Sequence, residues 1–173
     1  AQTANSVRSR HIVEMHDFGQ LPSGQFYMTM DLLEGRDLAK GLKQGLTPAE
    51  MFHVFIQCAD VLELTHQRGI IHRDLKPDNI FLVPDAELAS GRRVKVLDFG
   101  IAKLAQAEST GVQTHSQMVF GTPRYMSPEQ CRSAAHIDHR SDIYTLGCIL
   151  FELVVGEPPF DGEVGELIAK HQM

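Results

Sequence analysis

Ile70-Ile71-His72-Arg73-Asp74-Leu75-Lys76-Pro77-Asp78-Asn79 is the densest stretch of the chain, with a carboxylate, a cation, a proline and an amide between positions 74 and 79. Pro77 and the polar run around it hold the segment out of helix, so that these side chains can converge on one cleft. Upstream, Thr47-Pro48-Ala49-Glu50 predicts a helix start, a capping box with proline at the first helical position. Phe52, Phe55, Ile56, Ala59 and Leu62 then recur at helical spacing, with His53, Gln57, Asp60 and Glu63 between them, and Gly69 stops the helix. Downstream, residues 79–83 and 94–97 read as strands separated by a polar loop through Gly91.

Further out the pattern stays mixed. Residues 12–17 and 25–31 are short β-like runs, joined by Phe18-Gly19-Gln20-Leu21-Pro22-Ser23-Gly24, whose Gly and Pro suit a hairpin turn. Residues 105–117 show little periodicity and many Ser, Thr and Gln, the composition of a surface segment. Residues 142–155 are apolar on nearly every side, through Ile143, Leu146, Cys148, Ile149, Leu150, Phe151, Leu153 and Val154. A helix of that kind, too short to span a bilayer, is expected to be a buried central helix. Helices on a few strands give an α+β class. Helical pattern at Ala1 and again from Glu163 to Met173 suggests a segment cut at both ends.

Composition narrows the functions. Sixteen Lys and Arg against 22 Asp and Glu leave a net charge of −6, which argues against nucleic acid or an anionic membrane as the main partner. Apolar residues make up 43% of the 173, enough for one packed core. No apolar run approaches the ~20 residues that span a bilayer. Residues 1–10 are polar and lack the apolar core of a signal peptide. Cys58, Cys131 and Cys148 are odd in number and widely spaced, as for reduced thiols in a cytoplasmic protein. His136 and His139 lack the spacing of a zinc site and read as surface histidines beside a helix start.

Asp-Phe-Gly occurs twice. Asp17-Phe18-Gly19 ends the first short strand and opens the hairpin turn, whereas Asp98-Phe99-Gly100 follows the strand at 94–97 and lies 24 residues after Asp74. Farther on stand Gly121-Thr122-Pro123-Arg124-Tyr125-Met126-Ser127-Pro128-Glu129 and Arg140-Ser141-Asp142-Ile143-Tyr144-Thr145-Leu146-Gly147. A lone His-x-Asp is a weak signal; four motifs in this order across residues 70–147 are a specific one.

Together they resemble the catalytic domain of eukaryotic-type protein kinases, in wording closest to the bacterial branch and, through Lys76, to the serine/threonine type. The resemblance covers nearly the whole chain. It implies a two-lobed α+β fold, with residues 1–31 a remnant of the N-lobe, 32–38 the hinge and 39–173 the mostly helical C-lobe up to a truncated helix. It implies that Asp74 orients the attacking hydroxyl and takes its proton, that Lys76 supplies positive charge at the transferring oxygens, and that Asn79 and Asp98 are oxygen ligands for Mg²⁺, with Mn²⁺ able to replace it. ATP would bind with Met30 as gatekeeper, the backbone of Asp31 and Leu33 at the adenine edge, Asp37 near the ribose and Phe81 under the base. His72 would pack behind the loop, beside Phe99 and Gly100 of the second Asp-Phe-Gly. Arg73 would meet a phosphate on Thr114 or Ser116, while Thr122 and Glu129 belong to the end of the activation segment. Asp142 would accept hydrogen bonds from backbone N–H groups near His72 and Arg73, since an unpaired carboxylate heading so apolar a helix would be costly. Ser127 stands where the family has Ala, and the Asp17 copy lacks the family's order and context.

The implied activity is transfer of the γ-phosphate of ATP to Ser or Thr hydroxyls of a protein substrate in the cytoplasm. Self-association would serve autophosphorylation, and neither nucleic acid nor membrane contact is expected of this segment. The family's Gly-rich loop, strand Lys and paired helix Glu do not occur in the 173 residues, so the segment by itself is expected to be inactive. Two other readings compete. A small-molecule phosphotransferase shares the His-x-Asp-x-x-x-x-Asn loop but lacks a counterpart to residues 121–129. A non-catalytic pseudokinase scaffold is opposed by intact His72, Asp74, Lys76, Asn79 and Asp98.

Overall fold

A computed structural model describes residues 7, 9–99, 122–132 and 137–173. Strands β1 (Met15–Gln20) and β2 (Phe26–Met30) form an antiparallel hairpin with Asp17 opposite Thr29 and Gly19 opposite Tyr27. The turn is closed by the Leu21 N–H, which donates to the Gln25 carbonyl at 2.8 Å, and Gly24 takes φ +85° within it. Asp17-Phe18-Gly19 therefore lies inside a strand and does not open the turn. Its side chains find partners on β2: Phe18 stacks on Phe26 at 5.8 Å, and the Tyr27 hydroxyl donates to Asp17 at 2.9 Å. Ile12 precedes β1 and instead bridges Val96 of the second sheet.

That sheet has the order β3 (Arg36–Asp37), β4 (Ile80–Pro84), β5 (Arg92–Val96), all antiparallel, and sets Asp37 opposite Phe81. Gly35, at φ +153°, lets the chain cross β4 so closely that an added Cβ would strike the Leu82 carbonyl. Helix α1 (Leu38–Gln44) begins on Asp37, whose carboxylate accepts from the Lys40 N–H at 2.7 Å.

Helix α2 (Pro48–His66) starts at the capping box, with Thr47 Oγ1 accepting from the Glu50 N–H at 3.3 Å and Glu50 Oε2 accepting from the Thr47 N–H at 2.9 Å. Its buried stripe is Val54, Cys58, Val61, Leu62 and Thr65. This corrects the stripe expected from periodicity. Phe52 and Ile56 are 63% and 41% exposed, and Phe55 and Ala59 only flank the core. The helix carries apolar residues on two overlapping faces, and contact with β5 selects one. Gln57 fixes that choice, because its amide donates to the Arg92 carbonyl at 3.2 Å and accepts from the Val94 N–H at 2.9 Å.

Helices α3 (Pro128–Arg132), α4 (Arg140–Val155) and α5 (Val164–His171) complete the described elements. α4 buries Asp142, Thr145, Leu146, Cys148, Ile149 and Leu153 but leaves Ile143, Phe151, Val154 and Val155 exposed. Full burial was the sequence expectation; the described neighbours α2, α3 and the turn Pro123–Tyr125 cover only one face. No helix among the described residues is long and apolar enough to cross a membrane. The helical reading at Ala1 and the segment 105–117 lie outside the described residues.

Candidate active site

The loop between α2 and β4 is anchored from beneath by one carboxylate. Asp142, 1% exposed in the first turn of α4, accepts from the His72 N–H at 2.8 Å and from the Arg73 N–H at 2.9 Å. A third donor is the His66 Nε2–H, at 2.7 Å from the Oδ2 that His72 uses. Three donors satisfy a carboxylate that would be costly to bury without hydrogen-bond partners. His66 escaped the sequence reading, because a histidine in the last turn of a helix reads as a solvated helix end. The ring of His139 rests on it at 5.6 Å.

His72 is the next link. Its Nε2–H donates to the Leu97 carbonyl at 2.8 Å, its Nδ1 accepts from the Asp74 N–H at 3.3 Å, and its ring meets Phe99 edge-on at 4.7 Å. One nitrogen donating and one accepting define a neutral imidazole. Burial pushes its pKa down, outweighing the nearby Asp142 charge. His72 thus ties the loop to the strand end that presents Asp98, and the Leu97 N–H adds a 2.9 Å bond to the Asn79 carbonyl.

Two residues of this junction hold left-handed backbone without being glycine: Arg73 at φ +72° and Asp98 at φ +62°. Such conformations persist where the surroundings over-determine them, and they gather at functional sites. Above the anchor, Lys76 Nζ lies 3.3 Å from Asp74 Oδ2, and the Thr122 N–H donates to Asp74 Oδ1 at 3.1 Å. Asn79 Nδ2 donates to the Asp74 carbonyl at 2.9 Å, which orients its side-chain oxygen away from that bond. Among the described residues nothing donates to Asn79 Oδ1 or to the Asp98 carboxylate. Amide and carboxylate oxygens are the ligand types a hard divalent cation takes, so these two residues fit Mg²⁺.

On the other side, Met30 at the end of β2 lines a small apolar cavity with Ile12, Met15, Val96, Asp98 and Phe99. The Asp31 N–H is taken by the Glu14 carbonyl at 3.1 Å. Leu32 points outward, 95% exposed. Asp37 and Phe81 meet across β3 and β4, with Asp37 serving as the cap of α1. Burial alone would raise the Asp37 carboxyl, but Lys40 overrides it and holds the pKa below the usual range. Gly100, Thr114 and Ser116 lie outside the described residues. Arg73 Nε is buried and has no hydrogen-bond partner among the described residues.

Asp74 beside Lys76, Asn79 before β4, Asp98 after β5 and the apolar cavity next to them all lie within residues that match one family. Residues 1–173 align with the protein kinase domain over their whole length. The chain belongs to the protein kinase domain family. It is 41% identical over 175 residues to the serine/threonine-protein kinase Pkn1 of Myxococcus xanthus, covering 100% of this chain and 24% of that protein. To the serine/threonine-protein kinase PknB of Mycobacterium tuberculosis it is 40% identical over 169 residues, covering 94% of this chain and 26% of that protein. The chain spans about a quarter of the length of these relatives. Among solved structures, the PknI kinase domain of Mycobacterium tuberculosis, a double mutant, superposes with a TM-score of 0.66 at 28% identity, covering 92% of this chain and 55% of that one.

The serine in place of the kinase family's alanine also has its explanation. Ser127 Oγ accepts from the Gln130 N–H at 3.3 Å, and Gln130 Oε1 accepts from the Ser127 N–H at 3.0 Å, a reciprocal cap on α3. Ser127 also donates to Ser141 Oγ at 3.0 Å, and Ser141 donates to Glu129. Burial would raise the Glu129 carboxyl, but the Ser141 hydroxyl outweighs it and lowers the pKa.

Proposed function

We propose that the protein carrying this segment is a serine/threonine protein kinase that transfers the γ-phosphate of ATP to Ser or Thr hydroxyls of protein substrates. The observation that carries this reading is the convergence on Asp74 of Lys76 Nζ at 3.3 Å and the Thr122 N–H at 3.1 Å. Asp74 would receive the substrate hydroxyl and accept its proton as the oxygen attacks phosphorus. Lys76 would offset the charge that builds on the transferring oxygens. Thr122, held on the same carboxylate, would keep the substrate-side segment in register with it. Mg²⁺, held by Asn79 and Asp98, would neutralise phosphate oxygens when bound. Adenine would lie along the backbone of Asp31 and Leu33 beside Met30 and over Phe81, with Asp37 at the ribose.

In this reading residues 1–31 belong to the N-lobe, 32–38 to the hinge and 39–173 to the C-lobe. The buried Arg73 Nε, without a hydrogen-bond partner among the described residues, supports a phosphate on Thr114 or Ser116 as its partner, added by a second copy of the kinase in the cytoplasm. The test is Asp74→Asn in the full-length protein, with incorporation of labelled phosphate as readout. A loss of about 10²–10⁴ in rate with unchanged thermal stability is the expected result. Full incorporation by Asp74→Asn would overturn the assignment.

A further inference from the structure

The substrate-side segment touches the catalytic loop at a second point that the capping of α3 does not require. Gln130 Nε2 donates to the Arg73 carbonyl at 2.6 Å, while its Oε1 accepts from the Ser127 N–H at 3.0 Å. The two partners fix the amide's orientation, since a backbone N–H can only donate and a carbonyl can only accept. A Ser-x-x-Gln cap uses Oε1 alone; Nε2 is surplus to it and reaches 57 residues back along the chain.

What it reaches is the peptide unit immediately before Asp74. Arg73 sits at φ +72°. Its N–H is held by Asp142 at 2.9 Å, and the Asp74 N–H is held by His72 Nδ1 at 3.3 Å. The Arg73 carbonyl is the remaining polar group of that peptide unit, and Gln130 holds it. Left-handed backbone at a non-glycine residue persists only when it is pinned on all sides. The Arg73–Asp74 peptide sets the direction in which the Asp74 side chain leaves the loop.

We propose that Gln130 is a positioning residue: by holding the Arg73 carbonyl it sets the orientation of Asp74, and so makes the catalytic loop depend on the seating of residues 127–130. The inference rests on the kinase reading above. It gives the segment that ends the substrate side a mechanical connection to the base, separate from the Thr122 contact on the carboxylate itself.

Two substitutions in the full-length protein separate the two halves of the amide. Gln130→Glu keeps the acceptor for Ser127, and Glu is an ordinary capping-box residue, but it turns a carboxylate towards the Arg73 carbonyl. Gln130→Lys keeps a donor for Arg73 and abandons the cap. The expected result for Gln130→Glu is a fall in kcat of about tenfold, the worth of one such hydrogen bond, with KM for ATP unchanged and the melting temperature lowered less than in Gln130→Lys. Its activity relative to wild type should recover as pH falls and the new carboxyl, once protonated, donates again. Gln130→Lys should melt earlier yet keep kcat within a few-fold. Hydrogen exchange of residues 71–76 should speed up in Gln130→Glu and not in Gln130→Lys, a readout that needs no turnover and stands even if wild type phosphorylates nothing. Equal exchange of residues 71–76 in wild type and Gln130→Glu, or kcat losses that follow melting temperature in both variants, would overturn the proposal.

Discussion

The same tripeptide occurs twice, in settings that share almost nothing. Asp17-Phe18-Gly19 lies in an exposed strand, where Asp17 accepts the Tyr27 hydroxyl and Phe18 stacks on Phe26 with both rings near solvent. In the second copy Asp98 is left-handed at φ +62°, and Phe99, 5% exposed, is pressed against His72. The residue types are identical; the neighbours brought from 26 positions upstream, at His72, make the difference. A motif becomes a site when the chain around it fixes its backbone and removes its water.

The contrast is broken most severely at the carboxylates. In the full-length protein Asp98→Asn should lower phosphate incorporation by about 10²–10³, the loss that follows removal of one preorganised charge-stabilising group, and raise the Mg²⁺ concentration needed for half activity. Asp17→Asn should leave both within twofold. Next come the rings. Phe99→Ala should lower stability by about 3–5 kcal/mol in a urea titration, because it empties a packed position, whereas Phe18→Ala should lie within about 1 kcal/mol.

A third difference is pH. His72, beneath the second copy, is neutral by burial, so its folded pKa lies below the ordinary 6.5. The unfolded chain then binds the proton first. This contribution to stability is complete above about pH 6.5 and is lost progressively as pH falls below it. His11 and His171, also lowered by burial, act in the same direction. Denaturant midpoints at pH 7.5 and 5.5 should therefore differ, and His72→Gln should reduce the difference. The smallest effect belongs to the first copy: its Asp17 holds the Tyr27 phenol above its ordinary pKa, and Asp17→Asn should bring that titration back down without touching activity.

Local features were legible in the sequence where the chemistry is local. The Thr47–Glu50 box and the stop at Gly69 needed only neighbours within a few positions. That Asp142 needs partners followed from the cost of leaving a carboxylate unpaired in so apolar a helix, but which partners they are followed only from the family resemblance. What escaped was decided at long range. Which face α2 buries depends on the Gln57 contact with β5, 35 and 37 residues away, and the role of His66 depends on Asp142, 76 residues on. Gly and Pro close behind the first Asp-Phe-Gly predict that the strand ends there; pairing as far as Gln20 opposite Phe26 carries the strand past it.

Arg73 and Asp98 have a consequence for laboratory evolution. Each carries a side chain in a conformation that glycine adopts freely, at a backbone penalty of about 1–2 kcal/mol, smaller for Asp, which tolerates it better. A library of this domain sorted for thermal resistance alone would enrich glycine at both positions, while the same library sorted for turnover would refuse it. The two sorted pools, sequenced side by side, would mark the active site as the places where their preferences cross.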